Sequence, residues 1–158
     1  MSIDQDTFRA VLGRFASGIT ILTTCDAAGR DHGMTVSAFC SASLEPPLVL
    51  ACVNRLARMH QLLTELDYAG ISILASPQEA LSRRFAEPES DRFEGLGYSR
   101  GEHGVVLFDE ALAHLECAVR QRHPAGDHTI FVCEVEAASI RPERPLLYYR
   151  GGYTQLDR

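Results

Sequence analysis

His32-Gly33-Met34-Thr35-Val36-Ser37-Ala38-Phe39-Cys40-Ser41-Ala42-Ser43 is the stretch whose reading decides the fold. It reads as one strand, in which successive side chains point to opposite faces. Met34, Val36 and Ala38 then make an apolar face, while Thr35, Ser37, Ser41 and Ser43 fall on the other, interrupted by Phe39. Short hydroxyls beside backbone amides, without charge or bulk, suit a flat polar ligand lying along a sheet. Such donors meet ring nitrogens, ring carbonyls or phosphate oxygens. A strand with a solvated Ser/Thr face is the plainer reading of the same residues, because Thr suits strands anyway.

Working outward towards the N-terminus, Ile19 to Thr24 alternates as a strand, and Cys25 to Asp31, with Gly29, reads as the hairpin loop between the two. Before them, Asp6 and Thr7 offer N-caps for a helix whose Phe8, Val11, Leu12 and Phe15 share one face, with Gly18 placed to end it. Towards the C-terminus, Pro46-Pro47 breaks the pattern. Leu48 to Val53 follows, apolar on both faces as a central strand would be. Asn54 to His60 runs into a short helix with Met59, Leu62, Leu63 and Leu66 inward, and Ile71 to Leu74 is the next strand. Ser76-Pro77-Gln78-Glu79 combines a capping box with Pro at the first helical position, opening a helix that carries Leu81 and Phe85.

Ala86 to Gly104 is long, charged and glycine-bearing, and is expected to be a mobile loop. Its Gly95-Leu96-Gly97-Tyr98-Ser99-Arg100-Gly101 misses the dinucleotide fingerprint in spacing and in context. Ala111 to Arg122 and His128 to Ile140 are long strands joined by His123 to Asp127, and Leu146 to Tyr149 is a last strand ended by Gly151-Gly152. Six or more strands with short peripheral helices predict a mainly β (α+β) fold, an antiparallel β-barrel of Greek-key type.

At 158 residues the chain is expected to form a single domain, residues 1–158, with a sizeable core. A net charge of −6 speaks against nucleic acid as a partner, and no apolar run approaches membrane-spanning length, so a cytoplasmic protein is expected. Five dispersed cysteines, with no C-x-x-C pair, read as reduced core thiols. The histidines show no metal-ligand spacing, so no metal site is expected, and there is no nucleophile elbow. All 15 basic side chains are arginine. Without lysine, any phosphate must be held by arginine, hydroxyls or backbone N–H groups.

His32 to Ser43 with Leu44 to Leu50 is similar to the flavin-binding segment of the short-chain flavin reductases. Phe15-Ala16-Ser17-Gly18-Ile19-Thr20, Gly126-Asp127-His128-Thr129 and Leu147-Tyr148-Tyr149-Arg150-Gly151 match further marks of that family, and the resemblance runs from Phe8 to Leu156. These are the reductase components of two-component flavin-dependent monooxygenases, with an FMN-binding split-barrel fold. The resemblance implies NAD(P)H-dependent reduction of FMN or FAD by hydride transfer to flavin N5, with reduced flavin passed to a partner monooxygenase. It also implies a homodimer with the pocket near the subunit interface.

By the same resemblance, Thr35, Val36, Ser37, Ala38 and Phe39 line the flavin ring, with Ser41 and Ser43 near the ribityl chain and Cys52 and Val53 at the same pocket. Asn54, Arg55 and His60 match the segment approaching the flavin phosphate, where relatives usually carry serine in place of Ala57. A strand end entering a helix N-terminus, with a guanidinium added, is physically an anion site. Arg92 and Phe93 resemble residues that cover the flavin; ordinary loop anchoring is the plainer reading. His128 is implied beside the nicotinamide, in a catalytic role, with Tyr148, Tyr149, Arg150 and Gly151 completing that side. A lone His at a turn is otherwise a surface or capping residue. The alternatives are a non-catalytic flavin- or haem-binding split-barrel protein and, last, a pyridoxamine-phosphate oxidase-like enzyme, whose phosphate site is hard to build without lysine.

Overall fold

The computed structural model describes residues 1–88 and 92–157. Helix α1 (Gln5–Leu12) is capped by Asp4, whose carboxylate accepts the Thr7 amide at 2.9 Å, rather than by Asp6 or Thr7. It ends at Gly13, five residues short of Gly18. Strand β1 (Ser17–Gly18) precedes β2 (Thr20–Cys25), and the expected turn leads to β3 (Asp31–Val36). The stretch from His32 to Ser43 is not one strand. It stops at Ser37-Ala38 and restarts as β4 (Phe39–Ser43), because its two halves pair with different partners, β3 with β2 and β4 with β5 (Leu48–Asn54).

Helix α2 (Arg58–Glu65) buries Met59 and Leu63, leaving Leu62 and Leu66 half-buried. After β6 (Tyr68–Ile73), a 3-10 turn (Ser76–Gln78) leads into α3 (Glu79–Ala86). There the Gln78 side chain, not Ser76, provides the cap, accepting the Ala75 amide at 2.9 Å. The segment expected to be a loop contains β7 (Tyr98–Arg100), paired with β8 (Val106–Phe108). The hairpin of β9 (Ala113–Ala125) and β10 (His128–Ile140) extends pairing through Pro124 and turns on Gly126-Asp127 alone. Gly151-Gly152 does not end the last strand. Arg150-Gly151 turns β11 (Leu146–Tyr149) back into β12 (Gly152–Gln155), a strand the sequence reading lacks.

Seven strands form one antiparallel sheet in the order β3-β2-β6-β9-β10-β5-β4. Its edge strands, β3 and β4, are consecutive in the chain and joined only by Ser37 and Ala38. A sheet whose opposite edges are two residues apart is rolled up. Alternation along β5 and β10 then sorts residues by face. Val49, Ala51, Val53, Thr129, Phe131 and Cys133 are buried inside, whereas Leu50, Cys52, Asn54, His128, Ile130 and Val132 lie on the outer face, half-buried. Leu48 to Val53 is thus not apolar-buried on both sides, since only one side meets the core.

The inner core gathers Leu22, Val53, Ile71 and Phe131 beneath Met59 and Leu63 of α2. A second cluster, Ile21, Leu74, Phe85 and Phe108, lies under α3 with Phe93 packed against it. Each such side chain contributes about 1.5–3 kcal/mol on burial. Gly70 is required where β6 meets the β7–β8 hairpin: a Cβ there would lie 2.5 Å from Thr23 Oγ1 and 2.8 Å from the Val106 carbonyl. Of the five cysteines, all free, only Cys117 and Cys133 are core residues; Cys40 is exposed at the edge strand β4. Among the described residues, no helix is long and apolar enough to cross a membrane.

Candidate flavin site and its relatives

The two-residue joint between the sheet edges is the most open part of the expected ring-binding stretch. Ser37 and Ala38 are exposed, while Val36 before them is buried and Phe39 after them half-buried. The Ser37 carbonyl accepts the Phe39 amide and the Ala38 carbonyl accepts the Cys52 amide, both at 2.9 Å. Among the described residues, neither the Ser37 nor the Ala38 N–H donates to a protein acceptor. Two unclaimed donors beside small side chains fit the edge of a planar ring bearing carbonyls and nitrogens.

The hydroxyls expected to line that ledge do not act as a row. Thr35 Oγ1 donates to the Ser82 carbonyl at 2.6 Å and so braces β3 against α3. A bulge between Ser41 and Ser43 sets Ser41 opposite Val49 and Ser43 opposite Leu48, placing the two serines on opposite faces. Val53 is fully buried on the inner face, and Cys52 is on the outer one, where burial and then nearby Cys40 push its thiol up.

At the end of β5, Asn54 Oδ1 accepts the Leu56 amide at 2.8 Å, and the Arg55 amide donates to the Asp127 carbonyl at 2.9 Å. The chain thereby turns into α2 with Ala57 as N-cap, which has no side-chain capping bond. The Arg55 side chain is exposed, and among the described residues no acceptor claims its guanidinium. His60 stands elsewhere: its Nε2 is 2.7 Å from Thr129 Oγ1 on the inner face, and its ring meets the edge of Phe131 at 5.7 Å. It fastens α2 to β10 and does not reach the outer face that Asn54 and His128 share.

His128 projects from the first residue of β10, opposite Asn54. Its Nδ1 is 2.7 Å from Asp127 Oδ1, and the hydrogen bond from His128 holds the Asp127 carboxyl below its ordinary value. Asp127 is therefore ionised at neutral pH and accepts the Nδ1 proton, which leaves Nε2 directed away from it.

Arg92 donates to the Phe85 and Glu87 carbonyls at 3.1 and 3.0 Å, and Phe93 packs edge-on against Phe85 at 5.0 Å. Both anchor their loop on the second core cluster, which is the plainer of their two readings. Tyr148 is half-buried against Tyr153, at 5.4 Å between rings; Tyr149 is exposed, and Arg150 and Gly151 occupy the hairpin turn with φ of 51° and 76°. Among the described residues, no hydrogen bond, ion pair or ring contact joins His128 to this hairpin. Sequence reasoning missed Ser82 and Tyr153, whose hydroxyls lie 2.8 Å apart and connect the hairpin through Thr35 to the ledge. Their only signal was the 153–155 alternation, hidden behind the paired glycines.

The antiparallel sheet thus carries an open amide ledge, an outward histidine–aspartate pair and an unclaimed guanidinium, donor chemistry that suits a flat, anionic ligand. Residues 12–157 match the flavin reductase like domain, and the chain belongs to that family. It is 44% identical to an NADH-dependent flavin reductase of a Rhodococcus species over 155 residues, covering 94% of this chain and 85% of that one. It is 37% identical to the flavin-dependent monooxygenase reductase subunit HsaB of Rhodococcus jostii, covering 99% and 80%. Among solved structures, the Streptomyces globisporus NADH:FAD oxidoreductase SgcE6, in complex with NAD and FAD fragments, superposes with a TM-score of 0.93 at 39% identity, covering 97% and 93%.

Proposed function

We propose that the protein is an NADH-dependent flavin reductase that takes FAD or FMN and supplies the reduced flavin to a flavin-dependent monooxygenase. The observation that carries the reading is the common outer face of Cys40, Cys52, Asn54 and His128, which adjoins the unclaimed amides of Ser37 and Ala38. A bound flavin supplies the electron sink, accepting a hydride from the nicotinamide. The chain's own part is to seat and orient. Ser37 and Ala38 N–H groups would donate to the ring edge, Cys52 would flank it, and Arg55 with the start of α2 would face the phosphate, while Phe39, paired with inward Ala51, packs on the core behind the ledge. His128 offers Nε2 to the nicotinamide side, its tautomer fixed by Asp127. Relatives named for FAD and NADH favour that pair, and their description as reductases disfavours the non-catalytic flavin- or haem-binding alternative.

The same reading takes the rolled sheet as a split barrel and residues 1–158 as one domain, with the five free thiols suiting the cytoplasm. It also takes the protein as a homodimer. Phe8, Val11, Leu12 and Phe15, the stripe read as one apolar face, are 49–81% exposed, and α1 buries no residue on its own chain. Half-buried Leu50, Ile130 and Val132 on the outer face add to this apolar surface, and exposed apolar surface favours an interaction site. A second copy would cover it and bring another hairpin to His128.

The test is anaerobic mixing of purified protein with FAD or FMN and each nicotinamide nucleotide. Loss of oxidised-flavin absorbance with NADH, at a rate proportional to enzyme, is expected. Absence of NADH and NADPH consumption with both flavins overturns the reading. Sedimentation should give a dimer that Phe15→Glu weakens.

A further inference from the structure

We propose that the cavity between the β7–β8 turn and the far ends of β9 and β10 binds a primary ammonium group on a short aliphatic stem, with Glu116 as its counter-charge. The cavity holds about 180 Å³. Its Ser139 lies near the end of β10 and His128 at the start, roughly 30 Å apart along the strand, so the place is separate from the proposed flavin seat. The inference goes beyond the reductase reading and does not depend on it.

Glu116 marks the site. Its neighbours Leu115 and Cys117 pack on the core, so Glu116 points to the outer face of β9, and only 3% of it is exposed. Oε1 accepts the His103 amide at 3.2 Å. Oε2 lies against Gly101, where any Cβ would overlap it, and among the described residues it has no hydrogen-bond partner. Nearly all buried polar atoms have one. Protonating the carboxyl does not supply it, because no acceptor stands within reach of Oε2 either. A donor from outside the chain does.

The rest of the wall narrows the choice of donor. His114 Nε2 is 2.6 Å from the Phe108 carbonyl, which can only accept, so Nε2 carries the proton. Nδ1 of the neutral ring then accepts from Ser139 Oγ, 3.2 Å away, and the serine's lone pairs stay free. The Gly101 amide is committed to the Val105 carbonyl at 2.9 Å. Glu102 adds a second carboxylate at the exposed rim, and no arginine is among the described lining residues. Glu136, across the turn, is occupied at 3.2 Å from His103 Nε2. The lining side chains thus offer acceptors and no spare donor, which suits a cation and not an anion. A guanidinium fork pairs best with two free carboxylate oxygens, and the His103 amide holds one of them. A compact ammonium needs one, with further acceptors around it. Leu107, Ala137 and Ala138 supply an apolar wall for its stem. The chain has no lysine, so the group belongs to a free aliphatic amine or to a lysine of another protein.

Titration calorimetry of the intact protein with n-butylammonium chloride at neutral pH tests this. Binding in roughly the millimolar range is expected, as for so small a ligand. Glu116→Gln keeps the shape of the side chain and should weaken binding about tenfold, the scale of one lost charged hydrogen bond. Against the wild type, n-butanol and methylguanidinium should each bind about tenfold more weakly, a comparison that needs no variant. Should Glu116→Gln fail to fold, Ser139→Ala, at an exposed position, should weaken butylammonium binding about threefold. A lysine tripeptide blocked at both ends that binds more tightly than butylammonium assigns a protein lysine; weaker binding assigns a free amine; both support the site. No butylammonium binding to the wild type, equal binding of n-butanol or methylguanidinium, or binding unchanged in Glu116→Gln overturns it.

Discussion

Thr35 and Ser82 are joined by a 2.6 Å hydrogen bond from the threonine hydroxyl to the serine carbonyl, and the buried Ser82 hydroxyl in turn lies 2.8 Å from that of Tyr153. This chain of contacts makes one unit of the ring ledge, α3 and the C-terminal hairpin. Thr35→Val and Tyr153→Phe should each cost about 1 kcal/mol in urea unfolding, the net worth of one hydrogen bond. Tyr153→Phe should in addition raise the KM for NADH while flavin affinity holds. Equal effects on both ligands would argue against a link to the hairpin alone.

His128 and Asp127 act as a pair at the mouth of β10. His128→Gln should lower kcat/KM for NADH by about 10²-fold, the low end for a lost proton donor or acceptor. Asp127→Asn should have a smaller effect in the same direction, because it removes only the tautomer's anchor. Fluorescence titration should show unchanged flavin affinity in both. A His128→Gln enzyme with near wild-type turnover would remove His128 from the reaction.

Ala57 occupies the N-cap of α2 without a capping side chain. Ala57→Ser supplies the missing acceptor and should add about 1 kcal/mol of stability. A hydroxyl at the proposed phosphate end should also tighten flavin binding. Differential scanning calorimetry and flavin titration read the two effects separately, and a gain in stability with no gain in affinity would place the phosphate elsewhere.

Asp26 organises the β2–β3 turn. Its carboxylate accepts the Ala28 and Arg30 amides, each at 2.9 Å, and lies 3.0 Å from His32 Nε2. These partners, His32 foremost, hold its carboxyl well below the usual range. A depressed carboxyl stabilises the fold above its ordinary value and loses that contribution as pH falls towards the folded one. Asp26→Asn should therefore melt earlier than wild type at pH 7, with the gap starting to close below about pH 4. A gap that persists unchanged at lower pH would refute the assignment.

The sequence was most legible where structure is local. Ile19 to Thr24 and His128 to Ile140 carry their own alternation, and each strand lies within two residues of its reading. The α1 stripe was equally readable as a stripe, but sequence pattern states only that a face is apolar, not what covers it. The candidate site is proposed as a set of segments drawn from family resemblance. The roles of single side chains were not legible there: His60 turned inward to Thr129, and Phe93 joined the core.

What the chain determined by itself was thus its mainly β character, its element sequence and the segments from which a flavin seat could be assembled, because periodicity and turn chemistry act over a few residues. Tertiary structure decided the break at Ser37-Ala38, the bulge parting Ser41 from Ser43, the face shared by His128 and Asn54, and the meeting of Gly13 with Arg150. Those follow from strand partners and registers set by packing between residues far apart in the chain, such as Thr35 with Ser82 and Ser82 with Tyr153, and no local pattern encodes them.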